Sequence, residues 1–184
     1  MKKKLYQFIF FKIFNWKING TIDADIKKCV MIVVPHTSWY DFFIGVFTRG
    51  ILNLEMNFVA KKELFVFPFN FFFSYMGGSP LNRSKNENRV DAIAKIFNQK
   101  DVFRLAIAPE GTRSKVTEWR TGFYYIAKKA NVPIIPIAFD YGTKQVIIHK
   151  PFYTTNSIEN DLKYLQSLFK NVVGKFPEKS FTVN

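Results

Sequence analysis

Lys28-Cys29-Val30-Met31-Ile32-Val33-Val34-Pro35-His36-Thr37-Ser38-Trp39-Tyr40-Asp41, residues 28–41, decides how the chain folds. Val30 to Val34 is an unbroken apolar run. A strand apolar on both faces belongs inside a parallel sheet covered by helices. Pro35 ends it, a short polar turn follows, and Phe42–Leu52 reads as a helix. The same alternation continues outward. Met56–Ala60 and Phe103–Ala108 read as apolar strands, as does Val132–Phe139, and Gln145–His149 reads as a further strand at an edge. Glu87–Asn98, Gly122–Ala130 and Asn156–Val173 have the spacing of helices, the last capped by Asn156 or Ser157. Leu64–Met76 is a Phe-laden stretch broken by Pro68, and Gly77-Gly78-Ser79-Pro80 is a turn or a tight entry to a strand. Alternating buried strands and helices predict a single α/β domain with a mixed, largely parallel central sheet flanked by helices.

The chain of 184 residues is long enough for one well-buried core, and no linker or repeat divides it. With 22 Phe and 18% aromatic residues, the excess must line a core, a lipid tunnel or a membrane-facing patch. A formal net charge of +13 points to an anionic partner. No zinc-finger spacing, helix-turn-helix pattern or RNA-binding aromatic signature is present, so nucleic acid is not the expected one. Cys29 is the single cysteine, which excludes an intrachain disulfide and fits a reducing compartment. One cysteine and two distant histidines, His36 and His149, give no metal-ligand spacing, so no metal is expected. The N-terminus opens with three lysines at 2–4 and continues as an apolar stretch, Leu5 to Phe14, too short to span a bilayer. Its basic head and aromatic body predict a membrane-anchoring interfacial segment over residues 1–18, the alternative being a helix docked on the domain's own core.

Four short stretches carry chemistry, each at a strand end or edge, where open α/β sheets bind ligands. In the first, His36 is a candidate general base and Asp41 the carboxylate that would fix its tautomer. Residues five apart on one helix point about 140° away from each other. The pair therefore works only with His36 in the turn and Asp41 in the first helical turn. The second, Ala108-Pro109-Glu110-Gly111-Thr112-Arg113-Ser114, is a polar-ligand loop in which Arg113 is able to grip a phosphate. The third, residues 77–84, offers Arg83 as a second phosphate contact. The fourth, Val132–Ile137, carries Pro133 and Pro136, and proline marks an edge strand or irregular strand ends.

Taken together and in order, the His-x4-Asp block, the Arg83 block after a Gly-rich turn, Glu110-Gly111-Thr112-Arg113 and Val132-Pro133-Ile134-Ile135-Pro136 resemble the glycerolipid acyltransferase family of the 1-acyl-sn-glycerol-3-phosphate acyltransferase type, in a compact bacterial form. The chain departs from the family's usual pattern at Pro35, Asn82 and Ala108. The resemblance implies a glycerol-phosphate acyltransferase-like fold and an acyltransferase domain over residues 19–184. It also implies roles. His36 would deprotonate the acceptor hydroxyl and Asp41 would orient it. Arg83 and Arg113 would hold the acceptor's phosphate, and Glu110, Gly111 and Thr112 would shape its pocket. The donor would be an acyl thioester, acyl-CoA or acyl carrier protein, with no further cofactor. The acceptor would be a lysophospholipid, 1-acyl-glycerol-3-phosphate first, with a lyso-aminolipid or glycerol 3-phosphate as alternatives, and a non-catalytic lipid binder as the alternative of another class. Phe65, Phe69 and Phe72 would line the acyl chain, the other options being lipid contact and core packing. The expected location is the cytoplasmic face of the cell membrane, peripheral or monotopic, on an anionic surface.

Overall fold

The computed structural model describes residues 2–61, 63, 65–81 and 88–181. The chain opens with α1 (Lys2–Gln7) and a π-helical turn (Phe8–Ile13), then runs β1 (Lys17–Asn19), β2 (Lys28–Val34), α2 (Tyr40–Leu52), β3 (Phe58–Lys61), α3 (Phe69–Tyr75), β4 (Gly78–Leu81), α4 (Arg89–Gln99), β5 (Phe103–Ile107), α5 (Gly122–Ala130), β6 (Ile134–Asp140), β7 (Gln145–Ile148) and α6 (Ile158–Ser167). Among these, five strands form one sheet in the order β1-β7-β6-β2-β5, and β3 pairs with β4 in a separate parallel ribbon. Only β6 and β7 run antiparallel in the large sheet.

β2 lies inside the sheet because both of its faces are apolar. Val30, Ile32 and Val34 face a core shared with α4, α5 and α6 through Phe97, Phe123, Ala127 and Leu165. Cys29 and Met31 face the opposite core, made with Ile44 and Ile51 of α2 and with Phe10 of the N-terminal turn. The N-terminal segment lies against α2. A Cβ at Gly50 would meet the Tyr6 ring at 2.2 Å, so this glycine allows α1 its close approach. Phe10 is buried while Leu5, Phe8 and Ile13 stay exposed. The boundary expected after residue 18 falls inside β1, which pairs with β7 from Lys17 to Asn19. No helix among the described residues is long and apolar enough to cross a membrane.

Three sequence expectations are corrected. β7 is an inner strand, because β1 lies outside it. Of the two readings of the prolines, the edge strand is overturned, because β6 is inner, between β7 and β2, and the irregular strand end is the one observed. The missing Pro136 donor falls where the β6–β7 ladder stops. The Pro136 carbonyl still accepts from the His149 N–H at 2.9 Å, and the ladder proper begins at Ile137 with Ile148. No ladder bond to β2 is lost, which is why proline is tolerated there. Helix α6 is also shorter than its apolar spacing predicts, beginning at Ile158 with Ser157 as its cap.

Candidate active site

The three adjacent parallel strands β5, β2 and β6 end side by side. Ile32 is in register with Ile107 of β5, and Val34 with Ala138 of β6. Glu110 lies three residues beyond Ile107, His36 two beyond Val34 and Tyr141 three beyond Ala138. The site is assembled from these three strand ends and the first turn of α2.

The turn after β2 begins with a cis Val34–Pro35 bond and carries His36 out of the sheet. The side chains of Ser38 and Asp41 then hold the start of α2. The Tyr40 N–H donates to Ser38 Oγ at 3.2 Å, and the Ser38 N–H donates to Asp41 Oδ2 at 3.0 Å. The Ser38 hydroxyl is taken by Tyr40 instead of Asp41, so the bond from the Ser38 N–H to Asp41 is one half of a capping box, with Asp in the usual Glu place. It leaves Asp41 buried and aimed back along the turn. His36 Nδ1 lies 3.1 Å from the same Oδ2. The conditional expectation, His36 in the turn and Asp41 in the first helical turn, is met.

Asp41 Oδ1 is held by a residue the sequence did not single out. The Tyr141 hydroxyl donates to it at 2.7 Å. The Tyr141 ring is fixed edge-on by Trp16 at 4.9 Å and covered by the Lys175 ammonium at 5.9 Å. Burial, and then the hydrogen bond to Asp41, push the phenol well above its ordinary range, so Tyr141 is a neutral donor. The only local signal was a polar residue just past the end of a buried strand. Asp41 accepts from the Ser38 N–H and the Tyr141 hydroxyl, and a carboxylate 3.1 Å from His36 Nδ1 favours the tautomer with the proton on Nδ1. Nε2 then keeps the free lone pair that a general base needs.

Glu110 is buried, and its Oε2 accepts from the His36 backbone N–H at 2.5 Å. Burial raises its carboxyl to about 7, against the lowering pull of that hydrogen bond and of the His36 charge. The Phe181 backbone pulls weakly the same way, yet Oε1 has no hydrogen-bond partner among the described residues. Glu110 thus clamps the β5 loop to the His36 turn. Gly111 turns the chain with φ +68°, and a Cβ there would meet Arg120 Nε at 2.6 Å. Thr112 accepts at Oγ1 from the Ser114 N–H at 3.3 Å. Arg113 is exposed and carries no side-chain hydrogen bond among the described residues, which leaves its guanidinium available to a ligand.

A groove of about 430 Å³ runs from His36, Asp41 and Arg113 between Phe42, Gly45, Val46, Phe58, Met76 and Phe139. A smaller basin, about 360 Å³, lies among His36, Ala108, Gly111, Thr112 and Arg113. His36 and Arg113 border both, so a polar end and an apolar end meet at the imidazole. Phe65, Phe69 and Phe72 are not on the wall of that groove, and Phe69 and Phe72 are exposed on α3. Arg83 lies outside the described residues. Cys29 is in the core, and burial pushes its thiol up to about 12, so it offers no nucleophile.

Sequence comparison matches residues 17–140 to the acyltransferase family profile. The chloroplastic 1-acyl-sn-glycerol-3-phosphate acyltransferase BAT2 of Brassica napus is 30% identical over 64% of this chain and 40% of its own length. The 1-acyl-sn-glycerol-3-phosphate acyltransferase of Salmonella typhimurium is 27% identical over 75% of this chain and 58% of its own. The chain thus spans about half the length of these curated relatives. The crystal structure of the 1-acyl-sn-glycerophosphate acyltransferase PlsC from Thermotoga maritima superposes with a TM-score of 0.59, covering 90% of this chain and 74% of that one at 23% identity. That likeness bears on the fold, a mostly parallel central sheet flanked by helices.

Proposed function

This chain belongs to the acyltransferase family, and from that premise we propose that it moves a fatty acyl chain from an acyl thioester, on coenzyme A or acyl carrier protein, to the free hydroxyl of 1-acyl-glycerol-3-phosphate. The observation that carries the reading is the buried Asp41 behind His36, each of its oxygens accepting a hydrogen bond, placed where an apolar groove meets Arg113, whose side chain has no partner among the described residues. In this reading the acceptor's phosphate binds Arg113 through paired hydrogen bonds. Its acyl chain lies in the groove, where each buried methylene contributes about 0.8 kcal/mol. These contacts bring the hydroxyl to His36, and such orientation is worth several kcal/mol.

The proton and bond changes follow from that placement. His36 Nε2 takes the proton as the hydroxyl oxygen attacks the thioester carbonyl, and Asp41 stabilises the imidazolium. The tetrahedral intermediate collapses with cleavage of the C–S bond. The departing thiolate takes the proton from His36, and the base is restored. No acyl-enzyme forms. The setting is the anionic cytoplasmic leaflet, a reading supported by the net charge of +13 and by exposed Leu5, Phe8 and Ile13 behind the basic N-terminus.

The test is a panel. Purified protein is given acyl-CoA or acyl carrier thioester with 1-acyl-glycerol-3-phosphate, glycerol 3-phosphate or a lyso-aminolipid, and products are read by mass spectrometry. The expected result is diacylglycerol phosphate formation that depends on Arg113. Acylation of another acceptor would reassign the substrate. No ester from any pair would favour a lipid binder without catalysis.

A further inference from the structure

Helix α3 buries none of its residues. Val66, Phe67, Phe69, Phe71, Phe72 and Tyr75 are between 53% and 81% exposed, all within ten consecutive positions. A seven-residue helix is too short to hold itself in water; Asn70 and Phe73, half-buried, seat it on the domain, and the rest of its surface faces outward. An apolar patch of this kind on a folded chain marks an interaction surface.

Charge identifies the partner. Residues 65–81 carry no charge of either sign. At the C-terminal end of α3, however, Ser74, Tyr75 and Met76 share a basin of about 560 Å³ with Lys2, Lys3, Tyr6 and Arg49. Arg49 ties the two sides by donating from Nη1 to the Met76 carbonyl at 2.6 Å. One acid, Glu55, borders the basin, and its carboxylate already accepts from Asn57 Nδ2. From Lys2 to Ile13 there are four lysines and no acid, with Leu5 and Phe8 exposed. An uncharged aromatic knob rimmed by lysines is complementary to an anionic bilayer. The rings enter the acyl boundary and the ammonium groups meet lipid phosphates. An acidic protein surface would match the lysines and leave the rings in water. The face is also continuous with the active site, since Val46, Arg49 and Met76 line both the basin and the groove that ends at His36.

We propose that Val66–Tyr75 is a membrane-inserting element which, with the N-terminal helix, seats the protein on an anionic bilayer and opens the His36 groove onto the lipid. The inference rests on the acyl-transfer reading only for what enters the groove.

The test is binding to vesicles of phosphatidylcholine with phosphatidylglycerol. A Phe67→Ser, Phe71→Ser, Tyr75→Ser variant is expected to keep its circular dichroism, because these rings are exposed, and to partition at least roughly tenfold more weakly. His36→Ala is expected to bind as the parent does, which separates membrane contact from chemistry. In a second measurement Phe71→Trp is expected to add blue-shifted emission that brominated phosphatidylcholine quenches beyond the parent's own signal. Parent-like partitioning of the triple variant, or no added quenching in Phe71→Trp, overturns the proposal. So does a triple variant that keeps vesicle binding and loses binding to acyl carrier protein, which would make α3 a protein-docking element. Loss of vesicle binding in the triple variant, with no ester formed by the parent, supports the membrane contact and counts against acyl transfer alone.

Discussion

The Tyr141 hydroxyl donates to Asp41 Oδ1 at 2.7 Å across 100 positions of sequence, on the side of the carboxylate opposite to His36. Removing it in Tyr141→Phe leaves a buried carboxylate oxygen without its partner. A hydrogen bond to a charged group contributes about 1.5–3 kcal/mol. If that energy holds the His36–Asp41 geometry, kcat falls roughly 10- to 100-fold with KM little changed. Steady-state kinetics with saturating thioester check this. A rise in KM at constant kcat would place Tyr141 in substrate binding instead.

Glu110 gives the fold a pH dependence with a definite sign. Its carboxyl stands at about 7 in the folded chain against an ordinary 4.5. The folded state therefore binds the proton more tightly. The stabilisation is complete below the ordinary value and is lost as pH rises through about 7. The span corresponds to about 3 kcal/mol. The parent's thermal midpoint is expected to fall between pH 5 and pH 8, and Glu110→Gln, which keeps the acceptor for the His36 N–H, is expected to flatten that fall. Parallel curves for the two proteins would remove Glu110 as the source.

Gly45 sets the width of the groove. A Cβ added there finds only Phe139 Cζ, at 3.9 Å, so alanine fits without a clash. Replacing a helix-interior glycine by alanine stabilises by about 0.5–1 kcal/mol. Gly45→Ala is thus expected to raise the thermal midpoint, while Gly45→Leu fills the groove and turns preference toward shorter acyl chains. Competition between acceptors of different chain length measures it, and an unchanged ratio in Gly45→Leu would move the chain elsewhere.

Gly111 has no such room. At φ +68° and with Arg120 Nε 2.6 Å from any Cβ, Gly111→Ala is expected to cost about 1–3 kcal/mol in stability, seen as a lower denaturation midpoint. An unchanged midpoint would mean that the loop relaxes freely.

What was legible in the sequence was what is local. The Val30–Val34 run, its stop at Pro35 and the following helix need no distant partner to be read, and the His36–Asp41 pairing followed from where the turn ends. Tyr141 was not legible, because only the parallel pairing of β2 with β6 brings it to Asp41. β7 looked like an edge because β1 is three residues, two of them polar, and gives no periodic signal. Pro136 suggested an edge because sequence does not reveal which side of a strand its missing donor faces. The aromatic richness of 65–75 was plain, but its exposure depends on what α3 fails to pack against.

In the proposed reaction His36, oriented by Asp41, deprotonates the acceptor. The direct measurement is the initial rate of ester formation from acyl thioester and 1-acyl-glycerol-3-phosphate in the parent, His36→Ala and Asp41→Asn. Each variant removes the base or its orienter, and losses of about 10²–10⁴-fold are expected, with folding and vesicle binding intact. Rates within a few-fold of the parent in His36→Ala would mean that His36 is not the base.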